Sequence, residues 1–171
     1  MTSADNTFRD VYNLTFREIP LEDDPEKVGT IVKETGFLSE SEVEIAIELV
    51  RERLSKGAQS GYYFLFAEKE KKLIGYTCFG PVPGTLSSFD LYWIVIDKRF
   101  QGHGTGKLLE TMTEDIIKKM GGLRIYAETS SKPLYEPTRA FYRNTGYDEA
   151  AYLDDFYAPC DGKIIFVKRI I

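Results

Sequence analysis

Residues 89–106 read Phe89-Asp90-Leu91-Tyr92-Trp93-Ile94-Val95-Ile96, then Asp97-Lys98-Arg99-Phe100, then Gln101-Gly102-His103-Gly104-Thr105-Gly106. The first eight residues are mostly apolar, aromatic and β-branched, as a central buried strand requires. Behind the glycines, Leu108, Leu109, Met112, Ile116, Ile117 and Met120 recur at helical spacing until Gly121-Gly122. A loop that opens a helix offers unpaired N–H groups and the positive end of the helix dipole. Glycines let that backbone turn tightly and approach a ligand. The unit is a candidate anion cradle suited to phosphate, and Lys98, Arg99 and Lys107 add local positive charge. Two nucleotide patterns fail. The Walker motif needs Gly where Gln101 stands and Ser or Thr where Leu108 stands. The dinucleotide motif places its third glycine on Lys107 or Leu109. From the glycines alone, a tight turn without a ligand is the other reading.

Working outward, Val11 to Ile19 reads as a first strand ended by Pro20. Asp24-Pro25 opens a helix to about Glu34, closed by Gly36. Ser39 with Glu42 is a capping box, Ser41 with Glu44 an overlapping alternative. Val43, Ala46, Ile47, Val50 and Leu54 follow on one face, up to Gly57. Tyr62 to Ala67 and Leu73 to Phe79 read as a hairpin turning through Glu68 to Lys72, and residues 80–84 as a breaker loop. After the central helix come a strand at Leu123 to Glu128 and a short helix from Pro137 to Asn144 closed by Gly146. Two strands near Asp148 to Phe156 and Lys163 to Ile170 flank the turn Pro159-Cys160-Asp161-Gly162. The order β, α, α, β, β, β, α, β, α, β, β predicts a mixed α/β sheet: a meander, then a parallel crossover.

The 171 residues suit one domain; residues 11–171 form it and residues 1–10 are a loose tail. Hydrophobic residues at 43% and charged residues at 29% indicate a globular chain, and 11 Tyr with 11 Phe indicate an aromatic core or groove. The net charge of −5 disfavours nucleic-acid partners. No apolar run approaches the roughly 18 residues of a membrane span, and no signal peptide opens the chain. The expectation is a soluble, reduced, cytoplasmic protein. Cys78, Cys160 and the single His103 provide neither a disulfide framework nor zinc spacing, so no metal is expected.

Gln101-x-x-Gly104-x-Gly106, after this strand and before this helix, resembles the acetyl-CoA-binding motif of the GNAT acyltransferase superfamily. Thr138-Arg139-Ala140-Phe141-Tyr142-Arg143-Asn144-Thr145-Gly146-Tyr147 resembles that family's short helix ending in Phe-Tyr-x-x-x-Gly-Phe/Tyr, although the family often has Asn where Thr138 stands. The likeness covers roughly residues 60–150 strongly and the whole chain in element order. It implies a mixed sheet of about seven strands with about four helices, splayed between the fourth and fifth strands. It also implies acetyl-CoA as co-substrate, with pantetheine in the opening along Ile94, Val95 and Ile96. The pyrophosphate would then lie on Gln101, Gly102, His103, Gly104, Thr105, Gly106 and Lys107, with Thr138 and Arg143 as further contacts.

The same resemblance implies direct acetyl transfer to a primary amine. Such an amine, with a pKa of about 10.4, must first lose a proton. Asp90 at the start of the central strand and Glu128 at the end of the next are the candidate bases. Period-2 alternation puts Asp90, Tyr92 and Ile94 on one face. Tyr142 is the candidate acid for the leaving thiolate. Thr138 can cap its helix. The acceptor is a small-molecule or peptide amine, and Tyr152, Asp154, Asp155, Phe156 and Tyr157 are candidates for its wall. Transfer of a longer acyl group, a non-catalytic acyl-CoA sensor, and a monomer or homodimer all stay open.

Overall fold

The computed structural model describes residues 13–36 and 38–170. The tail expected at residues 1–10 and the start of the first strand lie outside them. The elements run β1 (Leu14–Arg17), α1 (Asp24–Glu34), α2 (Glu40–Lys56), β2 (Tyr63–Lys69), β3 (Lys72–Pro81), β4 (Ser88–Ile96), α3 (Thr105–Lys119), β5 (Arg124–Ser130), α4 (Glu136–Asn144), β6 (Asp148–Ala158) and β7 (Asp161–Arg169). The seven strands form one mixed sheet in the order β1-β2-β3-β4-β5-β7-β6. The expected element order is reproduced, with boundaries shifted by a few residues. The chain packs as two compact units: one takes the residues up to Gly80 with Trp93–Thr113, the other Pro81–Tyr92 with residues from Glu114 onward.

In the first unit, Asp24 begins α1 and is fully buried. Its carboxylate accepts two 2.6 Å hydrogen bonds from the Arg17 guanidinium and one of 2.7 Å from the Leu21 N–H. Arg17 also donates to Glu68 at 2.9 Å and lies 4.2 Å from the Phe66 ring centroid. Two ion pairs sharing Arg17 thereby join β1, α1 and the β2–β3 hairpin. At α2, Ser39 and Glu42 make the reciprocal capping box; Ser41 instead lies beside the Ser39 hydroxyl at 3.1 Å. Behind both helices, Val28, Val32, Ala46 and Val50 pack on Phe64, Phe66, Tyr76, Cys78 and Val95.

Two expected boundaries are corrected here. The hairpin turn narrows from residues 68–72 to Glu70-Lys71, because both adopt left-handed backbone (φ 51° and 65°). That is the geometry matching the twist of a two-residue hairpin. The breaker loop starts later, since β3 continues through Gly80 and Pro81.

In the second unit, β4 and β5 are parallel and share three residue pairs, Ser88↔Arg124, Phe89↔Ile125 and Asp90↔Tyr126. β5 and β7 are antiparallel over seven pairs, and β6 lies antiparallel to β7. At Gly122 a Cβ would come within 2.4 Å of Ile117 and 2.9 Å of Phe89, so only glycine lets α3 close onto the strand.

The alternation expected along β4 is interrupted. Phe89 meets Ile117 of α3, and Ile96 lies with Leu109 of α3 around Gly75. An unbroken strand would put positions 89 and 96 on opposite faces. Trp93 and Val95 face the core beneath α1 and α2. The alternation therefore slips by one between Asp90 and Trp93, and Asp90 does not share a face with Ile94.

Removing the Asp24 carboxylate should destabilise the fold far more than removing the exposed cap. In urea titrations, Asp24→Ala is expected to lose about 3–5 kcal/mol and Ser39→Ala about 1 kcal/mol. Equal losses would contradict the part assigned to the Arg17–Asp24 pair.

Candidate functional site

The glycine loop is shaped from below by Asp97. This buried carboxylate accepts hydrogen bonds from the N–H and the side chain of Arg99, each at 3.0 Å, and so ends the strand in a short turn. The Arg99 hydrogen bonds hold the Asp97 carboxyl below the usual aspartate range. Gln101 donates its side-chain amide to the Ile96 carbonyl at 2.9 Å, which folds the loop back onto the strand end. Gly102 and Gly104 are left-handed (φ 75° and 85°). The first helical hydrogen bond runs from Leu108 N–H to Gly104 O at 3.0 Å. The N–H groups of Thr105, Gly106 and Lys107 therefore precede the helical ladder. Gln101, Gly102, His103, Gly104 and Lys107 are exposed, Thr105 is buried and Gly106 half-buried. In the strand, Val95 is buried and Ile94 and Ile96 half-buried. A Cβ on Gly102 would meet nothing within 4 Å, so open space lies above the loop. An anion can approach the backbone there.

In the second unit, the two candidate bases are neighbours. Asp90, half-buried, ends the ladder with β5, and Glu128 is exposed farther along β5. Burial first, then the charge of Glu128, pushes the Asp90 carboxyl above its ordinary range, while Lys163 opposes the shift. Lys163 sits on β7 with its ammonium 2.5 Å from Glu128 and 3.7 Å from the Phe156 ring centroid. Sequence reasoning missed Lys163. Its place follows from the β5–β7 register, where Glu128 pairs with Ile165 and Lys163 is the diagonal neighbour. Nothing local to residue 163 announces that pairing.

Tyr142 on α4 is buried, with ring centroids 5.2 Å from both Tyr147 and Phe166. Phe166 pairs with Ala127, whereas Ile165 pairs with Glu128. Tyr142 thus lies against the sheet face opposite the one bearing Glu128. Arg139 anchors this helix: it donates to the carbonyls of Ser130 and Lys132 at 2.7 and 2.9 Å and to Glu136 at 2.8 and 3.0 Å. It was another residue whose role the motif did not reveal. Thr138 does not cap α4. The helix starts at Glu136 with Tyr135 at the cap position, which leaves Thr138 half-buried inside the first turn. Arg143 pairs with Glu136 and, at 2.7 Å, with Glu149.

The remaining candidates are placed as follows. Cys78 is buried, and burial raises its thiol well above the ordinary range, which disfavours a thiolate nucleophile. Cys160 is exposed in the β6–β7 turn, where its N–H donates to Asp155 at 2.7 Å. Tyr92 is exposed, and Trp93 packs on the core of the first unit. Tyr152 donates to Asp154 at 3.2 Å, and Phe156 and Tyr157 stack edge to face at 5.0 Å. Among the described residues no three His, Cys, Asp or Glu side chains are grouped to hold a metal, and no helix is long and apolar enough to cross a membrane.

Comparison with known proteins adds independent findings. The family model for the acetyltransferase (GNAT) family matches residues 15–147. No curated protein matches the chain. A Desulfovibrio desulfuricans protein of the GNAT family has a crystal structure similar to this one at a TM-score of 0.91 and 38% identity, over 92% of this chain and 99% of that one. An aminoglycoside 6'-N-acetyltransferase complexed with coenzyme A superposes at 0.73 and 18% identity, over 92% and 97% of the two chains. The ribosomal-protein-S18-alanine N-acetyltransferase of Escherichia coli superposes at 0.71 and 18% identity, over 92% and 94%. The last two likenesses are of fold.

The charge arrangement around Asp90 can be read by a carbon-detected NMR titration. Asp90 is expected to titrate above the ordinary aspartate value of about 3.9. Lys163→Met should move it further up and Glu128→Gln should move it down. An ordinary midpoint that neither substitution shifts would contradict the coupling.

Proposed function

The chain belongs to the GNAT acetyltransferase family, and on that footing we propose that it is an acetyl-CoA-dependent N-acetyltransferase acting directly on a primary amine. Residues 11–171 would serve as one acetyltransferase domain. The observation that carries the cofactor reading is the loop at residues 101–106. There, two left-handed glycines lead into free helical N–H groups beside an exposed Lys107. Its chemistry fits a pyrophosphate: backbone donors, a helix N-terminus and room for the ligand. Charge-assisted hydrogen bonds of roughly 1.5–3 kcal/mol each would then support micromolar binding after entropic losses.

In this reading Gln101, Gly102, His103, Gly104, Thr105, Gly106 and Lys107 hold the phosphates. The main chain of Ile94, Val95 and Ile96 pairs with the pantetheine amides as an added strand would. Thr138 and Arg143 contribute less, since Arg143 would have to leave Glu136 and Glu149 to reach a phosphate. Bound acetyl-CoA supplies an acyl group activated as a thioester.

Asp90 is the base. Glu128 is held in an ion pair by Lys163, whereas Asp90 is free of such a partner in this cluster and has its proton affinity raised by burial. A carboxylate shifted toward neutral pH takes a proton from an ammonium more readily. It does so only when ionised, so turnover rises with pH through the Asp90 pKa. Tyr142 is the proposed acid for the departing sulfur, its phenol acting from the sheet face opposite the one that bears Glu128. Small-molecule and peptide amines both remain acceptor candidates, as does a longer acyl group. The acceptor is sought in a soluble, cytoplasmic setting without nucleic acid, with the enzyme as monomer or homodimer.

The test is release of free CoA thiol from acetyl-CoA against a panel of primary amines, polyamines, aminoglycosides and peptide N-termini. At least one amine should accelerate release. Tyr142→Phe should then lower kcat by roughly 10²-fold with acetyl-CoA affinity nearly unchanged. An unaltered kcat would remove Tyr142 from the mechanism, and acetyl-CoA binding without turnover on any amine would favour a sensor.

A further inference from the structure

The sheet has two edges, and the chain treats them differently. At one, β1 is four residues long and begins with the buried Leu14. A short edge strand is a usual defence against pairing with another chain. At the other, β6 is 11 residues long, and every residue from Asp148 to Tyr157 is exposed. β7 pairs with one side of β6, and in the sheet order no strand lies beyond it. Both faces of β6 are bare as well. Tyr152 pairs with Ile164 and Leu153 with Lys163, so their side chains leave the sheet on opposite faces. Tyr152 is 57% exposed, Leu153 41%, Phe156 51% and Tyr157 48%. The pairing with β7 is irregular after Glu149 and again after Leu153, but Ala151-Tyr152-Leu153 pairs regularly and carries no charge or proline.

We propose that the free edge of β6 is the interface with a second copy of this chain, the two β6 strands running antiparallel across a two-fold axis. A partner packed on one face would leave the other exposed. A strand added at the edge covers side chains of both faces and pairs the outer N–H and C=O groups. The area suffices. Aromatic side chains carry roughly 150–250 Å² each, so Tyr152, Phe156 and Tyr157 at about half exposure present on the order of 300 Å² per copy. With about 200 Å² per copy from Leu153, the alanines and the strand edge, two copies reach the roughly 1,000 Å² that a specific interface needs. The acids of β6 favour a second copy over a cationic partner. Glu149 pairs with Arg143 at 2.7 Å, Asp154 accepts from the Tyr152 hydroxyl at 3.2 Å, and Asp155 accepts from the Cys160 N–H at 2.7 Å. Three of the four carboxylates between Asp148 and Ala158 are thus engaged by the chain that carries them. Two-fold symmetry closes the contact, so pairing stops at two copies.

The inference uses only the β6–β7 hairpin and stands apart from the N-acetyltransferase reading. The interface strand nevertheless borders the candidate bases. Leu153 stands opposite Lys163, whose ammonium lies 3.7 Å from the Phe156 ring centroid, 5.7 Å from that of Tyr157, and pairs with Glu128. Association would shield this ion pair from water. It would also bring the acids flanking Ala151–Leu153 toward those of the second copy, giving an apolar contact with like charges at its rim. Salt screens such repulsion and should tighten the contact, whereas it would weaken a contact with a basic partner.

The experiment is sedimentation velocity of the purified full chain over a concentration series at low and high salt, with hydrogen exchange read at the β6 amides. A species of twice the chain mass is expected, tighter in high salt, with the β6 amides protected. Leu153→Asp, checked for folding by circular dichroism, should weaken association roughly 10²-fold, the scale of losing a central interface residue, and release the β6 amides. Leu86→Asp, at a fully exposed apolar side chain outside β6, should leave the dimer intact. A monomer at every concentration overturns the inference. So does a dimer that survives Leu153→Asp, that dissociates in high salt, or whose β6 amides exchange freely. A monomer whose β6 amides become protected only when a Lys/Arg-rich peptide is added would assign the edge to a foreign basic strand instead.

Discussion

A parallel ladder of only three residue pairs, between Ser88–Asp90 and Arg124–Tyr126, is what the rest of the structure depends on. Parallel strands need a long crossover, and here α3 with its glycine loop supplies it. The ladder fixes where β4 begins, and so where Asp90 stands relative to Glu128. The slip in alternation just beyond Asp90 then turns Trp93 and Val95 toward one core and Ile96 toward α3. Backbone groups are obligatory hydrogen-bonding groups. In the proposed reading, the main chain of β4 beyond this ladder is what pairs with the pantetheine amides.

Charge organisation follows the same economy of few contacts. Buried acids in the first unit are tied directly to arginine: Asp24 to Arg17, and Asp97 to Arg99. Those pairs hold shape, one joining β1 to α1 and the other setting the entry to the glycine loop. Asp90 is treated differently, with burial and a like charge raising its proton affinity and Lys163 only partly offsetting them. Structural carboxylates are normally held ionised by such partners, and a carboxylate pushed the other way is a candidate for proton transfer. An overall charge of −5 is compatible with an anionic ligand because the loop donors act locally.

Much of this was legible in the sequence. Pro25, the Ser39/Glu42 box and the glycines after Ile96 are local signals with local mechanisms, and each marks an element boundary that the fold respects. Cys78 sat in a predicted buried strand and is buried. What was not legible depends on pairing between distant segments or on local strain. The left-handed pair Glu70-Lys71 carries no glycine to announce it. The β4 slip is invisible to period-2 counting. Lys163 meets Glu128 only through the β5–β7 register, and Arg139 anchors α4 through carbonyls that no motif specifies. Thr138 stands where the family often has Asn, and it lies past the helix start because Pro137 is accommodated in the first turn.

The central claim is that the loop at residues 101–106 is a cradle for the pyrophosphate of acetyl-CoA. Calorimetric titration of the purified chain with acetyl-CoA, with ATP as the control, tests it most directly. The account predicts micromolar binding of acetyl-CoA and none of ATP over the same range. No heat at millimolar acetyl-CoA would contradict it, leave the glycine loop as a turn alone, and remove the catalytic roles given to Asp90 and Tyr142.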